Sequence, residues 1–457
     1  MHSLMVRRTF LQSALVLPAL RAQQIQTGDP ATEWRRSRPD FRIYLPKGQG
    51  LNDGDNEHFL VFDSPAGDLL ALWTQSSIEG AGDNHLMLSR SANLSDWTEP
   101  ECIAGPFQRS KEPQASWGFP IVSKRGRIYL FYCQDSSGPE RDTRGRTLKM
   151  NDMAVLYSDD DGRSWKRGED VPWPKAQYDH PTGVGINWNW IVYQIPIRDS
   201  KGRPLAGYSY WVSDHLRKDK PPGWWVADSG SKFMRFDNID DAPDPKDLRV
   251  THLMLEGKGL TIPSVFHPDL TDCEEPSLAL LPDNRLFVTM RTSVGYVYYS
   301  VSEDDGASWR PPEPLRYKDD GDLIPHPKAP CPIYRLKDDR YLLLFFNNAG
   351  TLGQFSQYSP ASLRRINHWS HIRRPLHITV GEFRPTARQP IWFSRPKQLL
   401  DTDGVIVGPK KTAEIATYTS LTESKGRRVL WYPDRKFYLL GKLLPDELLQ
   451  DMVPDKV

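Results

Sequence analysis

The sequence predicts an all-β fold, a six-bladed β-propeller. Three observations carry that prediction. Aromatic and turn-forming residues are abundant, with 15 Trp, 18 Tyr, 39 Pro and 32 Gly in 457 residues. Long amphipathic runs are few, so the pattern is one of many short strands. A turn motif also recurs: Tyr157 to Trp165 reads YSDDDGRSW, and Tyr299 to Trp309 reads YSVSEDDGASW, each directly after a run of strand formers. Finally, strand clusters recur six times with a period of about 40–75 residues, the scale at which four-stranded units close into a ring and protect their edges.

In chain order, residues 1–22 come first. Arg7-Arg8-Thr9-Phe10-Leu11 is a twin-arginine pattern, followed by a short apolar stretch from Ala14 to Leu20 and a small residue at Ala22. The stretch is too short to span a bilayer, so it reads as an export signal removed near Ala22. Export to a periplasm or the cell exterior is the expected localisation. Residues 23–50 form an extension expected to pack on the outside. The propeller is expected over 51–445, with a short tail at 446–457. Its units start near His58, Trp117, His180, Glu275, Cys331 and Glu414. The polar, Pro-containing stretch from Asp237 to Pro268 reads as the connection between the third and fourth.

Totals narrow the function. Lys and Arg number 59 against 58 Asp and Glu, a net charge of +1. That balance argues against nucleic acid as the main partner. No segment after the signal is long and apolar enough for a stable membrane insertion, and a monomer is expected. The four cysteines, at 102, 133, 273 and 331, form no CxxC pair, so no zinc site or other cofactor is expected. Cys102 and Cys133 could form a disulfide; spacing does not decide it.

The repeated motif has a structural explanation. Asp side chains bond nearby backbone amides, Gly supplies a positive φ, and the Trp returns to pack against the hairpin. A degenerate third copy runs from Leu88 to Trp97 and lacks the Gly. Asp-x-Asp spacing also occurs in calcium loops, but these carboxylates have local backbone donors to satisfy, so no metal is expected.

The motif resembles the Asp-box of sialidases, and the resemblance extends over most of the chain in blade order. It is clearest in CEEPSLALLPDNRLFVTMRTSVGYVYYSVSEDDGASW, from Cys273 to Trp309. The match implies a six-bladed propeller in which Glu275 takes the place of the family's catalytic Glu. Arg291 then stands for one arginine of its carboxylate-binding triad. Arg374, or its neighbour Arg373, would be another. ATYTSLTESKGRRVLWY puts Tyr418 at the nucleophile, and GAGDNHLMLSRS puts Asp83 at the acid/base. The chemistry is consistent: sialidases use Tyr as nucleophile, the phenol needs a neighbouring base to take its proton, and Asp83 would protonate the leaving oxygen.

One position departs from the family pattern. The first triad arginine should open the first strand of blade one, where this chain has Glu57 and His58. Arg42 lies about 15 residues too early for that register. A Glu57 facing the centre would repel a sialic acid carboxylate, which points to another sugar on the same frame. His58, His180, His326 and Glu57 are further candidates to line the centre, and Trp117 and Trp188 to stack on a sugar. The expected function is a retaining exo-glycosidase acting on a terminal sugar, sialic or other, of a glycoconjugate or polysaccharide. The alternatives are a non-catalytic carbohydrate-binding propeller and a polysaccharide lyase, in which a His would stand beside a Tyr.

Overall fold

The structure is a computed structural model, and it describes residues 26–48, 51–106, 113–134, 153–179, 190–213, 216, 228–264, 269–350 and 372–455. Six antiparallel sheets follow one another along the chain. Blades one, two and four each run strand by strand from the axis outward, starting from Asp55–Asp63, Ala115–Val122 and Glu274–Leu280. Inner and middle strands are buried along nearly their whole length, because each blade is sandwiched between two others. Fully buried residues such as Leu72, Trp73, Phe131, Val288 and Trp431 fill the spaces, and burial contributes roughly 1.5–3 kcal/mol for each large aliphatic side chain.

Two segments differ from the sequence expectation. Phe41–Tyr44, read as part of an outer extension, pairs with Tyr438–Leu443 and supplies the outermost strand of blade six. The ring is therefore closed by hydrogen bonds between the two ends of the propeller. Arg42 sits on that outer strand over the Trp34 ring at 5.3 Å, far from the centre. The stretch read as a connection after Asp237 contains Val250–Leu253, the outer strand of blade three. Its turn-rich start hid the strand from composition alone.

The Asp-box turns hold as hairpin clasps. Asp160 accepts from the Ser164 amide at 2.8 Å and from the Ser158 hydroxyl at 2.7 Å, and Ser158 Oγ accepts from the Gly162 amide at 2.8 Å. Asp304, Ser302, Ser308 and Gly306 repeat this set. In the degenerate copy Asn93 takes the acceptor role. The next acid in each box reaches the preceding blade: Asp161 takes the Ala66 amide and Arg90, and Asp305 takes Ser200. Gly162 is obligatory on two grounds. Its φ is +77°, and a Cβ there would lie 2.9 Å from Leu70 of blade one. All four cysteines are free thiols.

Candidate active site

Three inner strands share one irregularity. In blade one the pairing jumps from Glu57↔Thr74 to Leu60↔Leu72, in blade two from Ser116↔Cys133 to Phe119↔Phe131, and in blade four from Glu274↔Arg291 to Ser277↔Thr289. Each is a β-bulge in which two residues oppose one. The first bulged residue has a positive φ in every case: His58 at +49°, Trp117 at +54° and Glu275 at +46°. None is glycine, so each site stores backbone strain, the kind that clusters where a side chain must be re-aimed for function. Neighbouring blades hold two of the freed amides: Trp117 N–H donates to Thr74 Oγ1 at 2.8 Å and Glu275 N–H to Ser209 Oγ at 2.7 Å.

Tyr418, just before the inner strand of blade six, is where His58 and Glu275 meet. His58 stacks on its ring with centroids 4.4 Å apart, and Trp117 packs edge-on against His58 at 5.7 Å. The phenol donates to Glu275 Oε1 at 3.1 Å. Arg291 Nη1 donates to the same carboxylate oxygen at 2.8 Å and lies 3.4 Å from the phenol oxygen. Arg291 Nε stands 3.6 Å from Glu274 Oε2. Burial, then the Glu275 charge, push the Tyr418 phenol up, and Lys436, Arg291 and Arg373 pull against them. An adjacent base is thus the condition for using this phenol as a nucleophile.

The surrounding charges are paired. Lys436 Nζ donates to Glu57 Oε2 at 2.6 Å and to Glu79 at 3.0 Å, and sits 5.0 Å from the Tyr418 ring centroid. Burial raises the Glu57 carboxyl, but Lys436 and His58 outweigh it and hold it well below its ordinary value. Lys328 bonds Asp272 at 2.9 Å and Glu274 at 3.4 Å. Arg373 Nη1 donates to Glu414 Oε2 at 2.8 Å and Nη2 to the Lys328 carbonyl at 2.9 Å. Lys410 pairs with Glu79 and stands 3.8 Å from Asp55. Asp55 is buried with no hydrogen-bond partner on either oxygen among the described residues, and burial raises it to about 6 against the pull of Lys410.

The structure therefore brings Tyr418, Glu275, Arg291, Arg373, Glu57, His58 and Trp117 together. It does not bring Arg374 there: that side chain forms a two-point pair with Asp401, 2.7 Å at both contacts, and the adjacent Arg373 turns inward instead. His326 is buried, and backbone groups take both of its ring nitrogens. Its Nε2 faces the Ala329 carbonyl at 2.9 Å, its Nδ1 accepts from the Phe346 amide at 3.2 Å, and burial lowers it to about 3. It is a neutral structural histidine rather than a lining one. Asp83 is fully buried, and its carboxylate accepts the Ser77 amide at 3.3 and 3.4 Å, closing the loop that carries Glu79. His180 and Trp188 lie outside the described residues. Sequence reasoning missed Lys436, Lys328, Glu414, Glu79 and Asp55. Only Glu414 had a signal, as the residue taken to open blade six.

No curated protein sequence is similar to the chain. Among solved structures, the intramolecular trans-sialidase from Ruminococcus gnavus in complex with oseltamivir carboxylate superimposes with a TM-score of 0.55 at 12% identity, covering 90% of this chain and 98% of that one. The NanB sialidase from Streptococcus pneumoniae gives 0.54 at 11% identity, over 88% and 70% of the two chains. Trypanosoma rangeli sialidase gives 0.53 at 12%, over 91% and 59%. At such identities the likeness is one of fold: a sialidase-like six-bladed propeller. The BNR repeat-like domain model matches residues 67–429, most of the chain, and the protein therefore belongs to the BNR repeat-like domain family.

Proposed function

We propose that this protein is an exported, retaining exo-glycosidase that removes a terminal sugar from a glycoconjugate or polysaccharide. The observation that carries the reading is the Tyr418–Glu275 hydrogen bond of 3.1 Å with Arg291 on the same carboxylate oxygen. Glu275 takes the phenol proton as Tyr418 attacks the anomeric carbon, and Arg291 orients the carboxylate. A glycosyl–Tyr418 intermediate forms and is then hydrolysed. Asp83 is the acid/base in this reading. That role rests on the resemblance of its sequence segment, and its carboxylate accepts the Ser77 amide at 3.3 and 3.4 Å.

A lyase reading draws on one observation, the imidazole of His58 against Tyr418. The rings are stacked, with 29° between their planes, so the imidazole meets Tyr418 face to face. The phenol proton already has an acceptor in Glu275. The glycosidase reading uses both facts and is preferred.

The test is release of a phenol from a panel of aryl glycosides, covering sialosides, neutral sugars and uronic acids, with Tyr418→Phe as control. Cleavage of at least one member, lost in Tyr418→Phe, supports the reading. Cleavage that survives in Tyr418→Phe overturns it, and so does silence across the panel.

A further inference from the structure

One wall of the site is built in an unusual way. The turn Asp434–Phe437 is closed by the Phe437 amide on the Asp434 carbonyl at 3.0 Å, and both its central residues have positive φ: Arg435 at +57° and Lys436 at +50°. Asn-Gly is the ordinary occupant of such a turn. Here both residues are charged and buried, at 0% and 4% exposure. Arg435 anchors the turn to Asp434, the Glu33 carbonyl and the Val405 carbonyl. Blade one clamps it from the other side: the Asn56 amide donates to the Lys436 carbonyl at 2.7 Å, and Asn56 Nδ2 to the Phe437 carbonyl at 2.9 Å. The strain delivers one group to the centre, the Lys436 ammonium, onto Glu57 and beside Tyr418.

This pair occupies the place where the family resemblance calls for a carboxylate-binding arginine. Lys436 is not free to act as a substitute, because Glu57 and Glu79 already hold it. The other cations of the centre are committed too: Arg291 to Glu275, Arg373 to Glu414, Lys328 to Asp272. A ligand carboxylate would compete with a protein carboxylate at each of them, although Nε of Arg291 and Nε of Arg373 have no hydrogen-bond partner among the described residues. It would also lie against Glu57, and like charges in a poorly solvated site repel strongly. A hydroxyl meets no such cost. Glu57 Oε1 is 3.7 Å from His58 Nδ1, beyond hydrogen-bond length, and neither ring nitrogen of the buried His58 has a hydrogen-bond partner among the described residues. A sugar hydroxyl can donate to the carboxylate and accept from, or donate to, the imidazole.

We propose that the Glu57–Lys436 pair, with His58, is a specificity element that selects a neutral, hydroxyl-bearing sugar and rejects one with a carboxylate on its anomeric carbon. The proposal rests on the glycosidase reading for the position of the sugar, but its test does not need turnover. Calorimetric titration of the Tyr418→Phe protein with free N-acetylneuraminic acid, glucuronic acid, glucose, galactose, fucose and rhamnose reads affinity alone. At least one neutral sugar is expected to bind at least tenfold more tightly than N-acetylneuraminic acid, and glucuronic acid, whose carboxylate is not on the anomeric carbon, shows whether the rejection is confined to that position. Adding Glu57→Gln is expected to raise affinity for N-acetylneuraminic acid at least tenfold and to weaken the neutral sugar. Lys436→Arg keeps the pair and is expected to leave the preference in place, which separates specificity from a folding defect. Tighter binding of N-acetylneuraminic acid than of every neutral sugar overturns the proposal. So does binding of no neutral sugar, or an acid affinity unmoved by Glu57→Gln. Sialoside cleavage that depends on Tyr418 would sink this inference while leaving the glycosidase reading intact. The expected binding pattern without hydrolysis would do the reverse.

Discussion

Blades one and four carry the same bulge at the same register and put different chemistry at its apex. In blade four the apex is Glu275, flanked by Glu274, with Arg291 of the next strand compensating both. In blade one the apex is His58, flanked by Glu57, and the compensating cation comes from another blade, at Lys436. One backbone device therefore serves two purposes. Blade four keeps its carboxylate on the phenol of Tyr418, whereas blade one turns its carboxylate toward a lysine and leaves an imidazole against the ring. The half of the site holding Glu275, Arg291 and Tyr418 is the half whose sequence resembles sialidases. The other half has changed sign.

That contrast can be broken most sharply by exchanging the two apices. Glu275→Gln should lower kcat/KM about 10²–10⁴-fold, since it removes the base. His58→Phe, which keeps a ring stacked on Tyr418, should cost about tenfold or less. Equal losses on the cleaved aryl glycoside would show that both blades supply chemistry. The compensating cations give the next largest effect, on stability. Arg291→Met takes the cation from buried Glu275, while Glu274 keeps Lys328, and should cost about 3–5 kcal/mol in denaturant unfolding. Lys436→Met likewise takes the cation from one buried carboxylate, Glu57, because Glu79 is half exposed and keeps Lys410, so its cost should be of the same size.

Two neighbouring acids should respond to pH with opposite sign. Glu414 is held at about 2, Arg373 and the nearby lysines outweighing its burial. A depressed carboxyl stabilises the fold above its unfolded value near 4.5, by about 3 kcal/mol here, and that stability is lost as pH falls toward 2. Asp55, raised to about 6 by burial, favours the fold below about 4 and withdraws that support as pH rises through 6. Unfolding measured from pH 3 to 8 should accordingly show Glu414→Gln flattening the acid limb and Asp55→Asn raising stability at neutral pH. If both variants shift the profile the same way, the paired-charge description is wrong. The smallest effect lies far from the centre. Ser302→Ala removes the hydroxyl that accepts the Gly306 amide and donates to Asp304, and should cost about 1 kcal/mol without changing activity.

The ring and half of the site were legible in the sequence for one reason: they are written locally. Glu275 and Arg291 face each other across one hairpin, and the Asp-boxes are complete within nine residues. Tyr418 was readable because its segment kept the family's spacing. What was not legible depends on partners remote in sequence. Phe41–Tyr44 gains its meaning only beside Tyr438–Leu443, and Lys436 looks like a solvated turn residue until blade one is placed against it. Arg373 and Arg374 are adjacent, so their assignment turned on which of them the chain directs inward. His326 met a strand-start pattern that its backbone partners had already used.

In the proposed mechanism Tyr418 becomes covalently attached to sugar. The most direct test is peptide mass spectrometry of the protein quenched after reaction with a fluorinated, slowly turning over glycosyl fluoride of the sugar chosen by the aryl-glycoside panel. A single added glycosyl group is expected on the peptide containing Tyr418, absent in Tyr418→Phe and slowed in Glu275→Gln. A glycosyl group on a carboxylate instead, or turnover with Tyr418 never modified, would contradict it.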